Sequence, residues 1–229
     1  MPIRILQLYR DRSDFFWELF VQHVYITLIA VGIITVLGLV LGIAMTKNKW
    51  MAGLLLRLTS FLFTIPSIAL FGVLVSITGI GLRSALIAII LYGLLPMIRN
   101  TYTGLIEVDP EIMEAAEGMG STPGQLLLRI QLPLALPVIF SGFRTMVVMT
   151  IALGGIASFI GAGGLGRAIW RGISTNYAEM TIAGSLLIAL FAIITDMMLE
   201  KVEQYLRTHY LGEGGKHEKT QLHHERVKT

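Results

Sequence analysis

Between Glu107 and Pro133 lies the stretch whose residue types and spacing could do chemistry, and that chemistry is docking. Glu114 offers a carboxylate that can accept a hydrogen bond or pair with a basic group on a partner. Ala115 and Ala116 give a small-residue surface that another helix can approach closely, and Gly120 permits a turn that a side chain would block. Asp109 followed by Pro110 reads as an N-cap with proline at the first helical position. Ile112, Ala115, Ala116 and Met119 then recur on one helical face. Gly118 and Gly120 stop that helix. Ser121, Thr122 and Pro123 offer a second start, Leu126, Leu127 and Ile130 give it an apolar face, and Pro133 is expected to end it. Such a unit exposes its apolar face unless another protein or the lipid headgroups cover it.

Other chemistries lack their residues. The chain has no G-x-x-x-x-G-K-S/T, so it cannot cradle ATP itself, and neither H-E-x-x-H nor G-x-S-x-G occurs; it is expected not to be an enzyme. With no cysteine there is neither a disulfide frame nor a thiolate metal site. His209, His217, His223 and His224 have no known ligand spacing, and a solvated tail without metal is expected. Gly161-x-Gly163-x-x-Gly166 formally matches a dinucleotide fingerprint, but it follows an apolar run, with no βαβ unit around it. A turn or close helix packing is expected there, and no cofactor.

The elements that must position the docking stretch are membrane spans. The 229 residues are 54% hydrophobic and 14% charged, against about 25% charged for a soluble domain, so lipid is the main solvent. The basic residues mostly sit between and beyond the apolar runs, which speaks against a nucleic-acid partner. A hydrocarbon core needs roughly 20 apolar residues per helix. Val24–Met45, Leu58–Ile80, Ser84–Ile98, Leu132–Leu165 and Ala178–Leu199 are the candidates, giving an all-α integral membrane protein of about five spans. Val24–Met45 exceeds a secretory core of roughly 7–15 residues and is read as a retained span. Pro66 predicts a kink in the second run. The third is short and spans if Arg99 snorkels and the helix runs on toward Leu105. The fourth has room for a span plus a re-entrant or loop piece. Domain boundaries are therefore 1–23, an extracytoplasmic or interfacial segment; 24–199, the transmembrane domain with its loop at 107–133; and 200–229, a polar tail.

Arg4, Arg10, Arg12, Arg83, Arg167 and Arg171 fall on one side of this arrangement, and the other twelve of the 18 Lys and Arg on the other. The positive-inside rule places the 107–133 loop and the C-terminus in the cytoplasm and the N-terminus outside. Arg99, Asn100 and Arg144 sit near helix ends, where snorkelling to the cytoplasmic surface is the expected behaviour.

Glu114-Ala115-Ala116, then Gly120, then Ile130, Leu132 and Pro133 resemble the EAA pattern of binding-protein-dependent ABC importer permeases. The resemblance implies the MetI-like permease fold in the plasma or inner membrane of a prokaryote. It implies that these seven residues serve coupling to a separate ATPase subunit, with Glu114 and Gly120 as the coupling pair. A second permease subunit, identical or homologous, and an extracytoplasmic binding protein are the further partners. Phe63–Leu70, Leu94–Leu105 and Ser158–Gly166 resemble the osmoprotectant branch, which takes up glycine betaine, choline and carnitine; the resemblance covers about 24–200. The family pattern often has Gln where this chain has Phe63 and an acid where it has Arg167. An amino-acid permease, for instance for methionine, is the alternative within the family, and a secondary transporter or channel is the alternative outside it. Quaternary ammonium ligands are held by aromatic cages. Tyr92, Phe71, Phe140 and Phe159 could contribute to one, and Pro66, Phe71, Tyr92, Asn100 and Phe159 are the candidates for the translocation path.

Overall fold

In the computed structural model, which describes residues 1–210, the chain is helical throughout its ordered elements. α1 (Pro2–Asp11) leads into α2 (Ser13–Thr46), α3 (Lys49–Thr64), α4 (Ser67–Thr78) and α5 (Leu82–Ile106). α6 (Pro110–Gly118), the single turn α7 (Pro123–Gln125) and a wider i→i+5 segment (Leu126–Gln131) lead into α8 (Leu132–Ala157). A 3₁₀ turn (Ser158–Ile160), α9 (Gly166–Ser174) and α10 (Ala178–Tyr210) complete the chain.

Four helical stretches, Ser13–Thr46, Leu82–Ile106, Pro123–Ile160 and Ala178–Tyr210, are long and apolar enough to cross a membrane, and the bent pair α3–α4 makes a fifth if counted as one span. The five expected spans all correspond to helices, with different ends. α2 has 34 residues, about 51 Å at 1.5 Å per residue, so its first turns from Ser13 project beyond a hydrocarbon core of about 30 Å. The Leu58–Ile80 run bends at Pro66, where the kink is expected, and so sharply that it divides into two helices. α3 starts at Lys49, capped by the Asn48 side chain on the amides of Trp50 and Met51, and the chain bends by 100° between Thr64 and Ser67. Ile65 is extended, as a residue before proline must be, and Pro66 starts α4. α5 runs on past Arg99 to Ile106, as expected, with Pro96 inside it. α10 continues to Tyr210 instead of ending at Leu199, so the first part of the expected tail is helical; His209 stacks on Tyr205, and His217, His223 and His224 lie outside the described residues.

α5 is the central helix, packed between α2 and α8. Small residues let the three approach closely: a Cβ at Gly42 would stand 2.5 Å from Thr101 Cβ, and one at Gly142 would stand 2.4 Å from Asn100 Cβ. Lipid tails are as apolar as the helix surfaces, so no hydrophobic effect drives helices together in a membrane, and such close van der Waals contact helps to hold the bundle. Ile34, Ala88, Ile89, Met146 and Ile151 fill the seam completely. At the opposite end from the 107–133 loop, α1 lies across α10, with Leu8 buried and the Tyr9 hydroxyl donating to the Ala183 carbonyl at 2.7 Å. Met1, Ile3 and Leu6 stay exposed beside Arg4 and Arg10.

Candidate functional site

The 107–133 loop folds as a helix, a glycine turn and a helical restart. The Asp109 side chain accepts from the Glu111 amide at 2.9 Å, which caps α6 as expected. The C-terminus of α6 closes in two bonds: the Gly120 amide donates to the Glu117 carbonyl at 2.8 Å and the Ser121 amide to the Ala116 carbonyl at 3.1 Å. This double closure needs a left-handed residue, and Gly120 supplies it with φ +86°. The Thr122 hydroxyl then accepts from the Gln125 amide while the Gln125 side chain accepts from the Thr122 amide at 2.9 Å, a complete capping box. Thr122→Ala should cost about 1 kcal/mol of local stability; faster amide exchange at Gln125 and Leu126, with the spans unaffected, is the measurement that checks it.

Two expectations change here. Pro133 does not end the second helix. The chain passes through the i→i+5 segment Leu126–Gln131 and continues as α8, with Pro133 just after the widened turn, in which the Leu132 amide reaches back to the Leu127 carbonyl. The loop is thus mechanically joined to a helix of the core. The expected apolar face also divides. Ala116 is buried within the chain, whereas Ile112 (44% exposed), Ala115 and Met119 (82%) face outward. Leu128, 66% exposed, adds a further outward apolar side chain in the restart segment.

Of the seven residues of the EAA pattern, Glu114, Ala115 and Gly120 are exposed, Ala116 is buried, and Ile130, Leu132 and Pro133 are half-buried. Glu114 and Glu117 line a groove of about 400 Å³ with Ile106, Pro110, Met113 and Gln131. Leu132 and Pro133 instead line an apolar cavity of about 490 Å³, together with Phe140 and Tyr210. The outer group can touch a partner; the inner group holds the loop on the bundle.

The candidate path residues do not converge. Phe71 is 2% exposed and belongs to the core. The Tyr92 hydroxyl donates to the Ile65 carbonyl, which pins the α3–α4 bend, and its ring meets Phe63 edge-on at 5.5 Å. Pro66 is exposed at that bend. Asn100 donates to its own helix, Nδ2 to the Pro96 carbonyl at 2.9 Å. Phe140 lies at the coupling-loop end, and Phe159, beyond the far end of α8, pairs with Trp170 at 5.3 Å. Tyr92, Phe71, Phe140 and Phe159 therefore form no common cage.

Arg144 also departs from expectation. It does not snorkel freely: Nε and Nη2 grip the two oxygens of Asp196 at 2.6 and 2.8 Å. Nη1 reaches Glu203 at 3.2 Å and Nη2 reaches Glu200 at 3.3 Å, while Arg207 holds the other oxygen of Glu203 at 3.2 Å. The sequence did carry a signal: 196, 200, 203 and 207 repeat at helical spacing on one face of α10. The glycine segment 161–166 is a loop, with Gly161, Gly163 and Gly164 at positive φ; no strand precedes it, which disposes of the dinucleotide pattern.

Residues 34–208 match the family model of the binding-protein-dependent transport system inner membrane component. The chain is 42% identical over 201 residues to the osmoprotectant import permease protein OsmW of Salmonella typhimurium, covering 86% of this chain and 94% of that one. It is 36% identical over 199 residues to the glycine betaine/carnitine/choline transport system permease protein OpuCD of Bacillus subtilis, covering 86% and 87%. Among solved structures it superposes on a chain of the MetNI methionine ABC transporter in an inward-facing conformation with a TM-score of 0.66 at 21% identity, over 83% of this chain and 97% of that one. A multi-pass helical membrane chain whose exposed Glu114 and left-handed Gly120 sit on a loop fused to a core helix thus belongs to the binding-protein-dependent ABC importer permeases.

Proposed function

We propose that this permease carries osmoprotectants of the glycine betaine, carnitine and choline type, and that the 107–133 loop couples it to a separate ATPase subunit. The observation that supports coupling most is the outward row Ile112, Ala115 and Met119 beside Glu114, apolar side chains with a carboxylate at their edge and no cover among the described residues. The substrate class is supported by the similarity, over nearly its whole length, to permeases named for osmoprotectants.

In this reading two permease subunits form the path between them, and an extracytoplasmic binding protein delivers substrate. Closure of two ATPase subunits on ATP pushes on α6, and the continuous helix from Leu126 into α8 carries the displacement into the bundle. The loop and C-terminus face the cytoplasm, in keeping with the distribution of Lys and Arg. ATP-dependent uptake of labelled glycine betaine, in proteoliposomes holding the chain with its ATPase and binding protein, is the expected outcome. ATP-dependent uptake of methionine instead would replace the substrate class, and uptake indifferent to ATP would sink the coupling reading.

A further inference from the structure

At the end of the bundle opposite the coupling loop, a cleft of about 760 Å³ opens between α2, α4, the 158–164 loop and α9. Phe159 and Trp170 form one wall, their ring planes inclined at 42° and their faces partly exposed, at 37% and 50%. Arg167 lies one turn before Trp170 on α9 and also lines the cleft. Among the described residues Arg167 has no carboxylate within salt-bridge distance, whereas Arg171 beside it lies over the Phe15 ring at 5.7 Å. The cleft lining contains no acid. Gly163 lets the Gln22 side chain close against the loop: a Cβ there would stand 2.9 Å from Gln22 Oε1, the same oxygen that accepts the Gly164 amide at 3.2 Å.

We propose that this cleft is a binding site on the permease for a small zwitterion bearing both a quaternary ammonium group and a carboxylate, a proposal that rests on the osmoprotectant reading above. The two aromatic faces suit the ammonium group, and the unpaired Arg167 guanidinium suits the carboxylate through paired, charge-assisted hydrogen bonds. A plain cation gains the aromatic contact but meets Arg167 with no acid to offset it. Glycine betaine and carnitine carry both groups; choline carries only the ammonium. The site therefore discriminates by the carboxylate.

The test uses the full chain in lipid nanodiscs, without binding protein, with Trp17→Phe and Trp50→Phe so that Trp170 is the remaining one of the three tryptophans. Saturable change in its emission is expected with glycine betaine and carnitine, with choline at least about tenfold weaker. Arg167→Gln should abolish that preference, and Phe159→Ala should weaken every ligand by about fivefold. In the reconstituted transporter, Trp170→Ala should lower glycine betaine uptake, Trp170→Phe should restore part of it, and Trp50→Ala should change nothing. No saturable emission change, equal affinity for choline, or indifference to Arg167→Gln would overturn the proposal. If the wild-type transporter takes up glycine betaine while the emission stays silent, the cleft alone is wrong. Should it take up none of the three compounds, the osmoprotectant reading fails and the cleft proposal with it.

Discussion

Gly120→Trp and Glu114→Ala each lower ATP-dependent uptake at least about tenfold while leaving the permease folded and inserted; this is the expected result of the loop geometry. At Gly120 no atom lies within 4 Å of an added Cβ, so the chain itself has room for a side chain. What the chain resists is the backbone: φ +86° costs an ordinary residue about 1–2 kcal/mol, and asparagine less. Gly120→Asn should therefore retain more uptake than Gly120→Val, and both should insert normally. Tryptophan adds bulk on the face that the partner must cover. Glu114 is exposed and has no partner within the chain among the described residues, so its loss should leave thermal stability unchanged. Full ATP-dependent uptake in both Gly120→Trp and Glu114→Ala would remove the coupling assignment, while loss of ATPase association in detergent would locate the defect at the docking surface.

Arg144→Met should be the most destabilising single change of a charged residue in the chain. It leaves Asp196, Glu200 and the 8%-exposed Glu203 facing one another, with only Arg207 as counter-charge. Removing one member of an ion network leaves the others uncompensated, and because Asp196 and Glu200 are partly solvated, water screens part of that cost. The midpoint of thermal unfolding in detergent is the readout. Arg144→Met combined with Asp196→Asn should recover part of the loss, since the double change removes a repelling charge along with its partner. An unchanged midpoint in the single variant, or strict additivity in the double one, would show that the contact does not tie α8 to α10. The consequence reaches function, because α8 is the helix that continues from the coupling loop.

Local rules were readable wherever a residue acts on its own neighbours. Asp109 caps α6 and Pro110 starts it because capping needs only the next few amides. Gly120 takes the left-handed turn because its own backbone demands it. The apolar runs became helices because every amide in lipid must find a partner within its own segment, and α5 passed Arg99 for the same reason. What failed was reasoning that treated a local feature as final. Pro133 looked like a stop, yet its neighbourhood widens to i→i+5 pairing and the helix runs on. Pro66 marks the bend from sequence, but its size of 100° is not a local matter: the Tyr92 hydroxyl, far along the chain, holds the carbonyl of Ile65 there.

The sequence by itself determined the solvent of this protein, the rough position of its apolar spans, the capping and turn chemistry of the docking loop, and, through seven residues in a fixed pattern, its family. The solvent, the spans and the loop chemistry follow from composition, periodicity and contacts within a few residues; the family follows from resemblance to a known pattern. Only the tertiary structure decided which side of α6 faces outward, because Ala116 is drawn in by its packing against the chain while Ile112, Ala115 and Met119 are not. Only it joined Arg144 to Asp196, Glu200 and Glu203, 52 to 59 residues away, and set Trp170 of α9 against Phe159. Pairings between distant residues depend on how whole helices cross. Those crossings are set by the small residues at α2, α5 and α8, whose close fit has no period that a single chain can display.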